Sequence, residues 1–80
     1  MSENNQDPKT LKELRESKKL SQEGLARLVD CSLTSIRNYE AQPPRRYPGF
    51  HIALRLCKVL DLSLPELAEI LGLDTTEIKH

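Results

Sequence analysis

Between Gln22 and Glu40 the segment QEGLARLVDCSLTSIRNYE holds two short amphipathic patterns that meet at a three-residue break, Asp30-Cys31-Ser32. Leu25, Ala26 and Val29 form one apolar face, and Ile36 and Tyr39 another, at the i, i+3, i+4 spacing of a helix with about 3.6 residues per turn. A break this short leaves no room for any other loop. Helices joined by about three or four residues must cross steeply, and a small residue at the crossing, here Ala26, lets the backbones approach. Ser32 is the expected N-cap of the second helix.

The 80 residues suffice for one small domain whose core must come from well-packed short helices, reinforced if at all by dimerisation, and leave no room for a second, catalytic domain. Only Tyr39, Tyr47 and Phe50 are aromatic, and the apolar positions are mostly Leu rather than runs of Val, Ile or Thr, so an all-α fold is expected. The chain shows neither the roughly 18 consecutive apolar residues of a membrane span nor a signal peptide, which points to a cytoplasmic protein. Cys31 and Cys57 form no CxxC pattern and read as small buried hydrophobes. His51 and His80 have no Cys, Asp or Glu at ligand spacing, so neither a metal nor a cofactor is expected.

A formal charge of zero conceals a polarised chain. Residues 1–8 carry a net −2, residues 9–47 carry nine Lys or Arg against five Asp or Glu, and residues 48–80 carry three against five. The basic part contains the two-helix segment, an arrangement that could orient the molecule in the field of a polyanion.

The polar residues 1–8 lack periodicity and read as a flexible arm. A first helix should start at Thr10 with a T-x-x-E capping box to Glu13, or one turn earlier at Asp7-Pro8. Ser21 should cap the second helix. The stretch AQPPRRYPG, with three prolines and a glycine, ends the third helix in an irregular basic loop. A fourth helix is expected from about Gly49 to Leu60, with Ala53, Leu56, Cys57 and Leu60 inward and Arg55 and Lys58 outside that face. A fifth should begin at Ser63, with an S-x-x-E box to Glu66, and stop at Gly72. The tail, residues 73–80, either adds a turn capped by Asp74 or frays.

The runs LKELRESKKLSQEGLARLVDCSLTSIRNYE and YPGFHIALRLCKVLDLSLPELAEIL resemble the helix-turn-helix domains of the phage lambda-repressor and Cro class, the Xre family. The likeness covers roughly residues 9–72. It rests on Leu20-Ser21-Gln22, Leu25-Ala26, the I-x-x-Y-E run from Ile36 to Glu40, the proline-led fourth helix and Leu62-Ser63-Leu64. It implies a compact five-helix DNA-binding domain, with the helix-turn-helix at helices 2 and 3, usually acting as a dimer on a pseudo-palindromic operator. Two features depart from the family pattern: Asp30 stands where glycine is usual, and the loop from Ala41 to Tyr47 has a double proline.

In such a fold the recognition helix lies in the major groove, so its exposed positions Leu33, Thr34, Arg37 and Asn38 are the candidates for reading bases. Arg and Asn suit bidentate contacts to guanine and adenine, while Leu33 and the Thr34 methyl suit the methyl of thymine. The resemblance assigns phosphate contacts to Gln22 and to Ser32 or Ser35, at the donor-rich starts of helices. Arg45 and Arg46 should grip the backbone from the loop, with Lys9, Lys12 and Lys19 as weaker candidates. Arg15 and Glu40 match family positions that form a partly buried ion pair.

The function that follows is a small transcriptional regulator that binds double-stranded DNA, a repressor by virtue of a chain too short for a separate effector domain. The antitoxin, phage-repressor and restriction-controller settings stay open. The alternative is a helical protein-interaction module, supported by the zero net charge, which leaves Arg37, Asn38, Arg45 and Arg46 unexplained. The candidates for a homodimer surface are Ile70, Leu73 and Ile78, although a five-helix core could also absorb Ile70. No small-molecule ligand is evident, and without a Gly-rich phosphate loop or a convergent Cys and His pair an enzyme is not expected.

Overall fold

The computed structural model describes residues 10–73, and the arm at residues 1–8 and the tail beyond Leu73, Ile78 included, lie outside the described residues. Five helices follow one another: α1 (Leu11–Ser17), α2 (Gln22–Val29), α3 (Leu33–Glu40), α4 (Phe50–Leu60) and α5 (Leu64–Ile70). The all-α, five-helix reading of the sequence holds, with no strand among the described residues.

Local chemistry sets the helix starts. Thr10 Oγ1 accepts from the Glu13 N–H at 3.1 Å while Glu13 Oε1 accepts from the Thr10 N–H at 3.2 Å, so the capping box is closed in both directions. Ser63 and Glu66 repeat the device at α5, at 3.2 and 2.8 Å. Ser21 and Ser32 cap α2 and α3 by accepting from the N–H groups of Gly24 and Ser35. Helix α4 starts at Phe50 with Gly49 as its N-cap, and α5 ends at Ile70 with Leu71 as its C-cap, so Gly72 with φ 81° lies one residue further on.

The inward faces form one core. Leu11, Leu25, Val29, Ile36, Leu56, Leu60 and Leu67 are almost fully removed from water, and Tyr39, Ala53, Cys57 and Leu71 close around them. Helix α2 packs on both α3 and α4, α4 on α5, and α1 on α3, so the helices form a chain of contacts in the order α1, α3, α2, α4, α5. Ala26 is buried, as its place at the α2–α3 crossing requires. Ile70 packs half-buried against this core, whereas Leu73 is exposed.

Among the described residues three non-glycine positions have positive φ, Lys19 just after α1 and Asp30 and Asp61 as the C-caps of α2 and α4. Asp30, at φ 61° and ψ 51°, ends α2, with its N–H directed to the carbonyls of Ala26 and Arg27. Asp tolerates this region better than most residues, and so it can stand in for the glycine expected at the turn.

Candidate nucleic-acid interface

The site is built around the N-terminal turn of α3. Ser32 Oγ accepts from the Ser35 N–H and donates to Ser35 Oγ, both at 3.0 Å. One proton lies between the two hydroxyls, so the Ser32–Ser35 pair keeps one O–H to give to an outside acceptor.

Gln22, in the first turn of α2, directs its side chain toward the far end of α3. Its Nε2 donates to Glu40 Oε1 at 3.0 Å, leaving the second amide proton for an outside acceptor. Glu40 is also the partner of Arg15: Nε donates to Oε2 at 2.6 Å, and Nη2 to Oε1 at 3.3 Å. Arg15 Nη1 reaches the Leu20 carbonyl at 2.7 Å. Both ionic side chains are over nine-tenths buried, so the pair ties α1, the α1–α2 turn and the end of α3 into one unit.

Along α3, Thr34 and Arg37 are exposed, while Ile36 and Tyr39 enter the core. Leu33 and Asn38, expected among the exposed positions, are half-buried. Leu33 lies against an open hollow between α2 and the turn, shared with Glu23, Ala26, Arg27, Asp30 and Cys31, so part of its surface is screened by α2. The backbone carbonyl of Asn38 accepts from the Arg45 N–H at 3.0 Å. This bond anchors the proline-rich loop to the end of α3 and carries the exposed Arg45 and Arg46 beside it. Lys12 and Lys19 are exposed on and after α1, and Lys9 lies outside the described residues.

Arg55 was assigned from the sequence only to the outside of the α4 apolar face, yet it reaches back across α2. Its Nη1 donates to the Val29 carbonyl at 3.4 Å and lies 3.6 Å from Asp30 Oδ2, placing a cation at the negative end of the α2 dipole. The acceptor-rich end of α2 was legible, but a donor 26 residues further along the chain was not. Burial raises the thiol pKa of Cys31, with a smaller push from Asp30, and burial followed by Glu66 does the same for Cys57. Both side chains therefore stay protonated at neutral pH, as packing groups rather than nucleophiles.

A short helix bearing Thr34 and Arg37, capped at its N-terminus by Ser32 and flanked at its C-terminus by an arginine pair, packs on α2. A family model described as helix-turn-helix matches residues 11–67. The chain belongs to the lambda-repressor-like helix-turn-helix family. Searches of curated proteins and of solved structures returned no match. Helix-turn-helix domains of this kind bind DNA and are typically not enzymes, and DNA is accordingly the partner that the family indicates. No described helix of this helix-turn-helix protein is long and apolar enough to cross a membrane.

Proposed function

We propose that this helix-turn-helix protein is a transcriptional repressor that binds a pseudo-palindromic operator as a homodimer in the cytoplasm. In this reading α3 enters the major groove, Arg37 and Asn38 read guanine and adenine edges, and Leu33 and Thr34 meet thymine methyls. Gln22, Ser35 and the α3 N-terminus seat the domain on phosphates, with Ser32 acting through its cap, while Arg45 and Arg46 hold the backbone beyond the far end of α3. Arg15 and Glu40 hold the frame. Repression needs only occupancy of the operator, and a two-fold dimer places two recognition helices about 34 to 36 Å apart, one turn of the duplex.

The observation that supports this most is the pairing of unspent donors with an anchored loop. The Ser32–Ser35 hydroxyl pair and Gln22 each keep a proton for an outside acceptor, and the Arg45 N–H bond to Asn38 holds the arginine pair next to α3.

Selection from random duplex DNA, followed by a salt series on the selected site, tests the proposal. A two-fold symmetric site should emerge, with log affinity falling linearly against log salt. Replacing Arg45 and Arg46 together by Ala should flatten that slope by about two phosphate contacts. If no sequence is selected and no duplex binds at any ionic strength, the regulator reading fails and the fold serves protein contacts instead.

A further inference from the structure

The inner face of α4 is spent on the core, through Ala53, Leu56, Cys57 and Leu60. The stripe that flanks this face, Phe50, Leu54 and Lys58 at i, i+4, i+8, is exposed throughout. Phe50 is 70% exposed and Leu54 45%, which makes this the one helical stripe of the described fold with two neighbouring large apolar residues facing water. Tyr47, three residues upstream of Phe50, is 49% exposed as well. Lys58 makes no ion pair among the described residues, and no acidic residue occurs from Tyr47 to Leu60.

We propose that this stripe is the surface on which two copies of the chain pair, with the α4 helices antiparallel about a two-fold axis at Leu54. The proposal rests on the dimer reading above and assigns its interface to α4, away from the fifth helix and tail expected from the sequence. The stripe's own chemistry selects the second copy and its register. Phe50 and Lys58 lie equally far on either side of Leu54, about 12 Å apart along the axis. Antiparallel pairing therefore sets Leu54 against the partner's Leu54, and each Phe50 ring beneath the partner's Lys58, where the ring face attracts the ammonium. A parallel pairing would oppose lysine to lysine. The antiparallel contact is isologous and closes as a dimer. One stripe of about two turns falls below the area of a standard interface, so the free dimer is weak and the two half-sites of an operator supply the remaining affinity.

Sedimentation equilibrium of the full chain, free and on its selected duplex, tests this. The wild type should show a reversible dimer at high concentration. Leu54→Asp should raise the dimer dissociation constant by at least about tenfold, as truncating a central apolar anchor does. Phe50→Lys, which opposes two lysines, should do the same, and Phe50→Lys combined with Lys58→Glu should restore association by pairing opposite charges. All these positions are exposed, so circular dichroism should remain that of the wild type. A dimer untouched by Leu54→Asp overturns the assignment to α4 and leaves the dimer reading standing. Failure of the double variant to re-associate overturns the register. A chain that is monomeric both free and on DNA removes the dimer reading and this interface with it.

Discussion

Gln22 and Glu40, at the first residue of α2 and the last of α3, are joined by a 3.0 Å hydrogen bond between Nε2 and Oε1. The same carboxylate holds the buried Arg15. A side chain proposed to touch DNA is thus oriented by the ion pair that holds the first and third helices together.

Removal of one member of that pair strands a buried charge. Arg15→Met or Glu40→Leu alone should lower the unfolding free energy by about 3 kcal/mol or more. The two changes together should cost clearly less than either one, because apolar side chains of similar size leave no orphaned charge. Urea denaturation of the three variants gives the comparison, and additive losses would show that the pair is not coupled.

Gln22→Ala removes a neutral donor. It should weaken operator binding while leaving the slope of log affinity against log salt unchanged, since no counterion is released by an amide. Titrations at several salt concentrations separate this from the arginine pair, whose loss changes the slope. An unaltered affinity would take Gln22 out of the interface.

Asn38→Ala keeps the backbone carbonyl that anchors Arg45, so the loop should hold its place. Discrimination at one base pair of each half-site should fall by about 1 to 3 kcal/mol, with the other positions unaffected. Binding to a panel of single-base operator variants measures this, and a uniform loss at every position would assign Asn38 to the backbone instead.

At the turn, Asp30→Gly should raise stability by roughly 0.5 kcal/mol and Asp30→Val should lower it, because the left-handed conformation suits glycine and penalises a branched side chain. The partner that glycine gives up is small: the Asp30 side chain is 87% exposed and its contact with Arg55 is 3.6 Å. Melting temperatures in the order Gly, Asp, Val are expected, and Val above Asp would contradict the left-handed turn.

Cys57 brings a pH dependence. Because burial, and then Glu66, raise its pKa above the ordinary 9.0, the folded chain keeps the thiol proton after the unfolded chain has lost it. That stabilisation is complete below the ordinary thiol value and falls as pH rises past it toward the folded value. Denaturation midpoints at about pH 7 and about pH 10 should therefore converge in Cys57→Ala relative to the wild type. An equal alkaline loss in both proteins would exclude the thiol as its source.

Local signals made much of the fold legible. Thr10, Ser21, Ser32 and Ser63 begin helices because a hydroxyl beside free N–H groups acts within one turn, and the 3.6-residue period separates Ile36 and Tyr39 from Thr34 and Arg37. The half-burial of Leu33 was not legible, since it depends on how close α2 lies beside the first turn of α3.

By itself the sequence determined five helices, four of them started by side-chain caps, their inward faces and the tight break at Asp30, because capping and amphipathic period act over a few residues. Only the tertiary structure decided that Arg55 closes the end of α2, that Gln22 shares Glu40 with Arg15, that Arg45 is anchored at Asn38, and that Phe50 and Leu54 face water. Those outcomes follow from crossing angles and loop paths that bring together groups distant in the chain, and no local spacing records them.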